Sequence, residues 1–291
     1  MTATTLTASV LRLPGGRELS YCEFGDRSGI PVFGFHGTPG SRLQVAPTAV
    51  TPLPSGIRLI VPDRPGYGHS TFYPERRLTD WPGDVTAIAD YLGIDRFAAF
   101  GISGGGPHVL ACAHALAPRL IGIGCVSGVG PLWDPAAAQG MLPLNRWLTM
   151  LARHARPLLR ALMKFQVSIM KRNPERGLDM LSRQLPEPDQ VILANPAFRA
   201  MMIDETRNNS TTTGLAAAQD FELFAAPWGF SLGDIRTRVH FWQGGLDRNV
   251  PAPHAELMAS QVKDAVLHRY PDEGHFLVVP RFAEVFAAIT A

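Results

Sequence analysis

The chain has 291 residues, 46% hydrophobic and 18% charged, with a net charge of +2. That length buries a full core, as one large domain or one domain with an insertion, and the composition excludes a disordered chain. A charge this near zero argues against a dedicated nucleic-acid binder. Cys22, Cys112 and Cys125 show neither Cys-x-x-Cys spacing nor a paired framework, which predicts reduced core thiols. Met1 to Val10 lacks a basic start followed by a long apolar run, so no secretion signal is read there. A cytoplasmic location is the default expectation.

Taken in chain order, residues 9–24 read as two short strands around the Pro14-Gly15-Gly16 turn. Pro31 to Phe35 is an apolar run ending at His36-Gly37-Thr38-Pro39-Gly40. Arg58 to Val61 is another, ending at Asp63-Arg64-Pro65-Gly66-Tyr67-Gly68-His69-Ser70. Thr79 to Leu92 has helical spacing, with Val85, Ile88, Ala89 and Leu92 on one stripe. The segment 97–118 holds no Asp, Glu, Lys or Arg, and about 20 apolar residues suffice to cross a bilayer. Ser103, Gly104 to Gly106, Pro107, His108 and His114 are nevertheless poor membrane-helix material. Phe97 to Phe100 suits a doubly buried strand and Val109 to Ala117 a helix, with Pro107 in the first turn, where a missing N–H is tolerated. Strand, glycine turn, helix is the better parse.

Leu120 to Val126 reads as the next strand, after which the alternation stops. Residues 131–229 show helical patterns and prolines but no convincing strand. The rhythm resumes with strand Val239–Trp242, helix Pro253–Val262, strand Ala265–Tyr270 and helix Arg281–Ile289. The expected class is α/β, a mostly parallel sheet with helices on both faces. Its core would be 1–130 and 230–291, and 131–229 an inserted helical cap. In such sheets the sites form at the carboxyl ends of strands.

The sequence Gly101-Ile102-Ser103-Gly104-Gly105 matches Gly-x-Ser-x-Gly, which roughly one serine in a hundred would do by chance at this glycine content. A serine on a tight strand-to-helix turn exposes its hydroxyl, and the helix N-terminus offers free N–H groups to a developing oxyanion. The bland alternative is a structural glycine turn. A serine nucleophile needs a base, and the base an orienting acid. His275, in "YPDEGHFLVV" after a predicted strand, is the candidate base. His36 is read as structural, His108 and His114 as pointing away from the turn, and His154, His240, His254 and His268 as surface or satisfied core residues. His69 stays open. Asp247 in "FWQGGLDRNVP" is the first candidate acid and Asp134 the runner-up; Asp272 and Glu273 lie too close in sequence to His275. No His-Glu-x-x-His or Cys/His cluster suggests a metal.

The order Ser103, Asp247, His275 resembles the α/β-hydrolase fold, whose nucleophile, acid and histidine follow in that chain order. His36-Gly37-Thr38-Pro39-Gly40 is similar to that family's oxyanion loop, "DRPGYGHS" to its turn after the next strand, and "DEGH" to its histidine loop. The resemblance covers nearly the whole chain outside the cap. It implies an oxyanion hole from the backbone N–H groups of Thr38 and Gly104, and no cofactor. Serine at 103, where the family's epoxide hydrolases and haloalkane dehalogenases carry a carboxylate, implies cleavage of esters, amides or carbon–carbon bonds.

The expected activity is hydrolysis of carboxylic esters of small to medium apolar substrates. The expected partner is a small-molecule ester or related acyl compound, with no nucleic acid and no stable membrane insertion. Arg146, Arg153, Arg156, Arg160, Lys164, Lys171 and Arg172 follow one another with no acid between them, as a solvated face or an attraction for an anionic substrate. Seven methionines (141, 150, 163, 170, 180, 201 and 202) also fall in the cap, which weakly favours an accommodating apolar pocket. Hydrolysis of ring-fission diketones is the alternative that suits a basic cap. "HGTPG" also resembles proline iminopeptidases, but only Asp204, Glu205 and Glu222 are at hand for a substrate amine. A ligand receptor on a hydrolase scaffold is the non-enzymatic alternative.

Overall fold

The computed structural model describes residues 8–208 and 210–291. Among them, one sheet is built from β1 (Ser9–Arg12), β2 (Glu18–Gly25), β3 (Ile30–Phe35), β4 (Ile57–Pro62), β5 (Phe97–Ile102), β6 (Leu120–Val126), β7 (Val239–Gly244) and β8 (Ala265–Tyr270). Its order is β1-β2-β4-β3-β5-β6-β7-β8, with β1 and β2 antiparallel and all pairings from β4 onward parallel. The expected mostly parallel sheet is therefore present. The chain steps from β3 to β4 on one side and then back past β3 to β5. This reversal opens a crevice at the carboxyl ends of β3 and β5.

Side-chain alternation in the central strands feeds two cores. Phe33 and Phe35 of β3 and Phe97 and Ala99 of β5 point to one face, Val32, Ala98 and Phe100 to the other. The first face is covered by α1 (Trp81–Tyr91) and α2 (Gly106–Ala115), the second by α10 (Phe282–Ile289), whose Val285, Phe286 and Ile289 are buried. Each fully buried aromatic or aliphatic side chain contributes about 1.5–3 kcal/mol over leaving it exposed. α9 (Ala252–Gln261) packs beside β7 and β8. Cys22, Cys112 and Cys125 are buried and form no disulfide, as expected, and burial pushes the Cys125 thiol up to about 12.

Among the described residues, six α-helices lie between β6 and β7: α3 (Pro143–His154), α4 (Arg156–Arg172), α5 (Pro174–Ser182), α6 (Glu187–Ala194), α7 (Pro196–Arg207) and α8 (Thr213–Phe224). Prolines in the first turn of α3 to α7 punctuate them, where their missing N–H costs no intrahelical bond. Leu148, Leu151, Leu159 and Met163 join the core under the sheet, while Leu178, Leu185, Leu193 and Phe198 form a smaller cluster of their own. No helix among the described residues is long and apolar enough to cross a membrane.

Candidate active site

β5 ends at Ile102, and Ser103 follows with φ at +52°, a left-handed conformation that costs a non-glycine residue energy and thrusts its side chain off the strand end. The turn leads directly into α2, with Pro107 in its first turn as expected. Asp247 and His275 stand on the loops after β7 and β8. His275 Nε2 is 3.1 Å from Ser103 Oγ, and His275 Nδ1 is 2.7 Å from Asp247 Oδ2. The structure thus brings together all three side chains picked from the sequence.

The second oxygen of Asp247 accepts the backbone N–H groups of Asn249 and Val250, both at 2.9 Å. This buried carboxylate is therefore held on both oxygens. With Nδ1–H donating to Asp247, Nε2 is left to accept the serine proton, which is the arrangement general-base activation requires. Burial pulls the His275 pKa down, but Asp247 outweighs it and, with a smaller contribution from Asp189, holds it above the usual histidine value. Asp134 lies elsewhere: its carboxylate accepts the N–H of Ala136 within a local turn.

Thr38 follows β3 and faces the serine turn. A Cβ on Gly104 would collide with Thr38 Oγ1 and stand 3.1 Å from Thr38 N, so only glycine lets the two backbones approach. The two residues expected to supply oxyanion N–H groups are therefore neighbours. A small recess opens beside His275, lined among others by Leu142, Leu181, Leu185, Asp189 and Arg248.

Behind Thr38 sits a buried charge network that the sequence reading missed. Asp220, on α8 and wholly buried, accepts from Thr38 Oγ1 at 2.5 Å, Tyr67 OH at 2.7 Å and Arg64 Nη2 at 2.8 Å on one oxygen. Its other oxygen accepts from Arg76 Nη2 at 2.5 Å. Burial opposes the Asp220 charge, but Arg76 and Arg64 overcome it and keep the carboxyl far below its usual range. His36 is structural, as expected: its Nε2 accepts the Arg64 N–H and its Nδ1 donates to the Gly37 carbonyl. His108 does not point away from the turn. It reaches back to donate from Nδ1 to the Gly104 carbonyl at 3.0 Å, and its Nε2 lies 3.4 Å from Arg76. A histidine at the start of α2 meets the carbonyl four residues earlier, which helical spacing allows and the sequence reading overlooked.

A second missed carboxylate, Asp189 on α6, is buried and accepts the backbone N–H groups of His275 and Phe276, both at 2.8 Å. Neither aspartate carries a local signal, because each lies in a helical stretch with no motif around it. The other histidines have ordinary roles. His254 accepts the Gly130 N–H, His114 stacks on Phe230, and His240 and His268 stack with Trp242. His69 is exposed, with its backbone N–H bonded to Ser20 Oγ. Of the seven cations between 146 and 172, Arg160 and Arg156 both pair with Glu222, at 2.8 and 3.9 Å, and all seven are exposed. No group of three or more potential metal ligands occurs among the described residues.

The family defined by the alpha/beta hydrolase fold matches residues 30–281. The chain belongs to the alpha/beta-hydrolase family. This hydrolase is similar to the 2-hydroxy-6-oxo-6-phenylhexa-2,4-dienoate hydrolase of Burkholderia cepacia, with 26% identity over 76% of this chain and 72% of that protein. A bifunctional esterase/perhydrolase of Acinetobacter calcoaceticus is 30% identical over a shorter stretch, 32% of this chain and 34% of that one. Among solved structures, the fold is shared with a thermophilic esterase from Thermogutta terrifontis at 20% identity, TM-score 0.66, covering 97% of this chain and 96% of that one. An enol-lactonase from Burkholderia xenovorans is similar at 18% identity and TM-score 0.65, over 97% and 98% of the two chains.

Proposed function

We propose that this chain is a serine hydrolase that cleaves carboxylic esters of small to medium apolar substrates through an acyl-enzyme on Ser103. The observation that carries the reading is the unbroken run from Ser103 Oγ through His275 to the buried Asp247 carboxylate, at 3.1 and 2.7 Å. In the proposed cycle His275 Nε2 takes the Ser103 proton as Oγ attacks the acyl carbon. The backbone N–H groups of Thr38 and Gly104 hold the tetrahedral oxyanion, and Asp247 stabilises the imidazolium. Collapse breaks the ester bond, and the alcohol leaves with the proton from His275. Water, deprotonated by His275, then attacks the acyl carbon and frees Ser103. The segment 131–229 would act as the cap that shapes the substrate space.

A second reading, hydrolysis of a carbon–carbon bond in ring-fission diketones, is favoured by the similarity to the Burkholderia cepacia enzyme over three-quarters of this chain. The test is a turnover panel of p-nitrophenyl esters of graded acyl length, with and without a carboxylate, beside one ring-fission diketone. Higher kcat/KM for apolar esters is expected. A diketone turned over better than every ester would replace the first reading with the second. Near wild-type turnover by Ser103→Ala would overturn both.

A further inference from the structure

The two buried carboxylates, Asp189 and Asp220, have no place in the proposed cycle, yet each is aimed at a loop that carries it. Both come from the inserted helices, and the two loops lie on opposite sides of Ser103. Asp189 spends one oxygen on the His275 N–H and the other on the Phe276 N–H. The chain is shaped to receive it, for a Cβ on Gly274 would occupy the place of the Asp189 carboxylate. Asp220 receives the Thr38 hydroxyl, and through Arg76 and His108 the same cluster reaches the Gly104 carbonyl. Each group expected to hold the oxyanion is thus tied to the Asp220 cluster, one by its side chain and one by its carbonyl.

We propose that Asp189 and Asp220 are positioning residues: the inserted helices complete the site by fixing the histidine loop and the oxyanion loop from outside the sheet. Neither touches a reacting atom. Asp189 sets the direction of the His275 backbone, and hence of its ring, and Asp220 holds Thr38 against Gly104 through the hydroxyl. A loop end carries few constraints of its own, and an error of about 1 Å at the reacting atoms can cost a hundredfold in rate. The proposal rests on the reading of Ser103, His275 and Thr38 given above.

The test uses the full chain, a short-chain p-nitrophenyl ester, and kcat, KM, pH profile and thermal midpoint together. Asp189 interacts with His275 and Asp247 on the sheet loops, and Arg248 lines the same recess. Removing the Asp189 charge in D189N takes one anion from beside His275. The acid limb of kcat/KM is expected to move to lower pH, with kcat down roughly tenfold and KM nearly unchanged. A merely structural role would lower the thermal midpoint, and loss of the charge alone would move the limb; neither would lower kcat on the pH plateau at unchanged KM. Should D189N fail to fold, Gly274→Ala, which displaces the same carboxylate, must lower kcat without raising KM.

For Asp220 the contact is cut from the other end, because an uncharged residue at 220 would strand two buried guanidiniums. T38V, isosteric but without the hydroxyl, should lose roughly tenfold in kcat at unchanged KM, and T38S should restore it. A plateau kcat in D189N within about twofold of wild type overturns the role of Asp189. T38V equal to T38S and wild type overturns that of Asp220. Ser103→Ala runs in parallel: if it stays active, the catalytic reading has failed rather than the positioning one.

Discussion

The loops at the sheet edge and the inserted helices meet at one place but bring different things to it. Ser103, Asp247 and His275 stand on loops after β5, β7 and β8, and hydrogen-bond to one another. The helices α6 and α8 bring carboxylates that bond to the backbone of the His275 loop and to side chains of the loops after β3 and β4, and to none of the three side chains. The contrast follows from what each region can hold still. Strand ends in a parallel sheet have fixed positions relative to one another, so groups mounted there converge reproducibly. The residues just beyond them are loops, and a loop is held by whatever packs above it. In this protein that packing is ionic and buried.

The sharpest way to break the comparison is to remove the proposed reacting groups from the edge. Ser103→Ala should lose turnover on the order of 10⁶-fold, and Asp247→Asn on the order of 10⁴-fold, both with little change in thermal midpoint. If Asp134→Asn were costlier than Asp247→Asn, the acid would have been assigned to the wrong loop. The pH profile comes next in size. Because the His275 pKa is raised and the proposed cycle uses the neutral ring as base, kcat/KM should fall as pH drops through a value above 6.5. Asp247→Asn should move that limb downward, and a limb that stays in place would mean that another group titrates.

Apart from Asp189 and Asp220, residues of the inserted helices should respond in stability more than in chemistry. Leu159, wholly buried on α4, is expected to cost about 2–5 kcal/mol when cut to alanine, read by chemical denaturation. Glu205 on α7 is buried, and desolvation, with a smaller push from Asp63, raises its carboxyl to about 8. The unfolded chain releases this proton near 4.5 and the folded chain holds it to about 8, so the group penalises folding increasingly as pH rises across that window. Glu205→Gln should therefore raise the thermal midpoint by roughly 2–4 °C at pH 9 and leave it unchanged at pH 4. Equal shifts at both pH values would refute the desolvated carboxyl. Smallest is Arg160→Met. Its half-exposed guanidinium pairs with Glu222, and losing the pair should cost at most about 1 kcal/mol, less in high salt.

Much of this was legible one residue at a time. Apolar runs at 31–35, 97–100 and 120–126 became the strands β3, β5 and β6, because a doubly buried strand must be apolar along its length. The Gly-x-Ser-x-Gly turn was legible because a serine on so tight a turn leaves no room for side chains beside it. The inserted helices gave less: their existence showed in the break of alternation after 130, but not which of their charges turn inward. The run of seven cations drew the eye, while a single aspartate in α8 holds Arg64 and Arg76.

The sequence alone determined the α/β alternation, the serine turn and the chain order Ser103, Asp247, His275, since these are written in local spacing and residue type. The tertiary structure decided that Asp247 rather than Asp134 meets His275, that His108 reaches back to Gly104, and that Asp189 and Asp220 bind the loops at 275 and 38. Such pairings join residues up to 182 positions apart. A buried charge is tolerable only where partners from several elements surround it, and no short stretch of chain records that meeting.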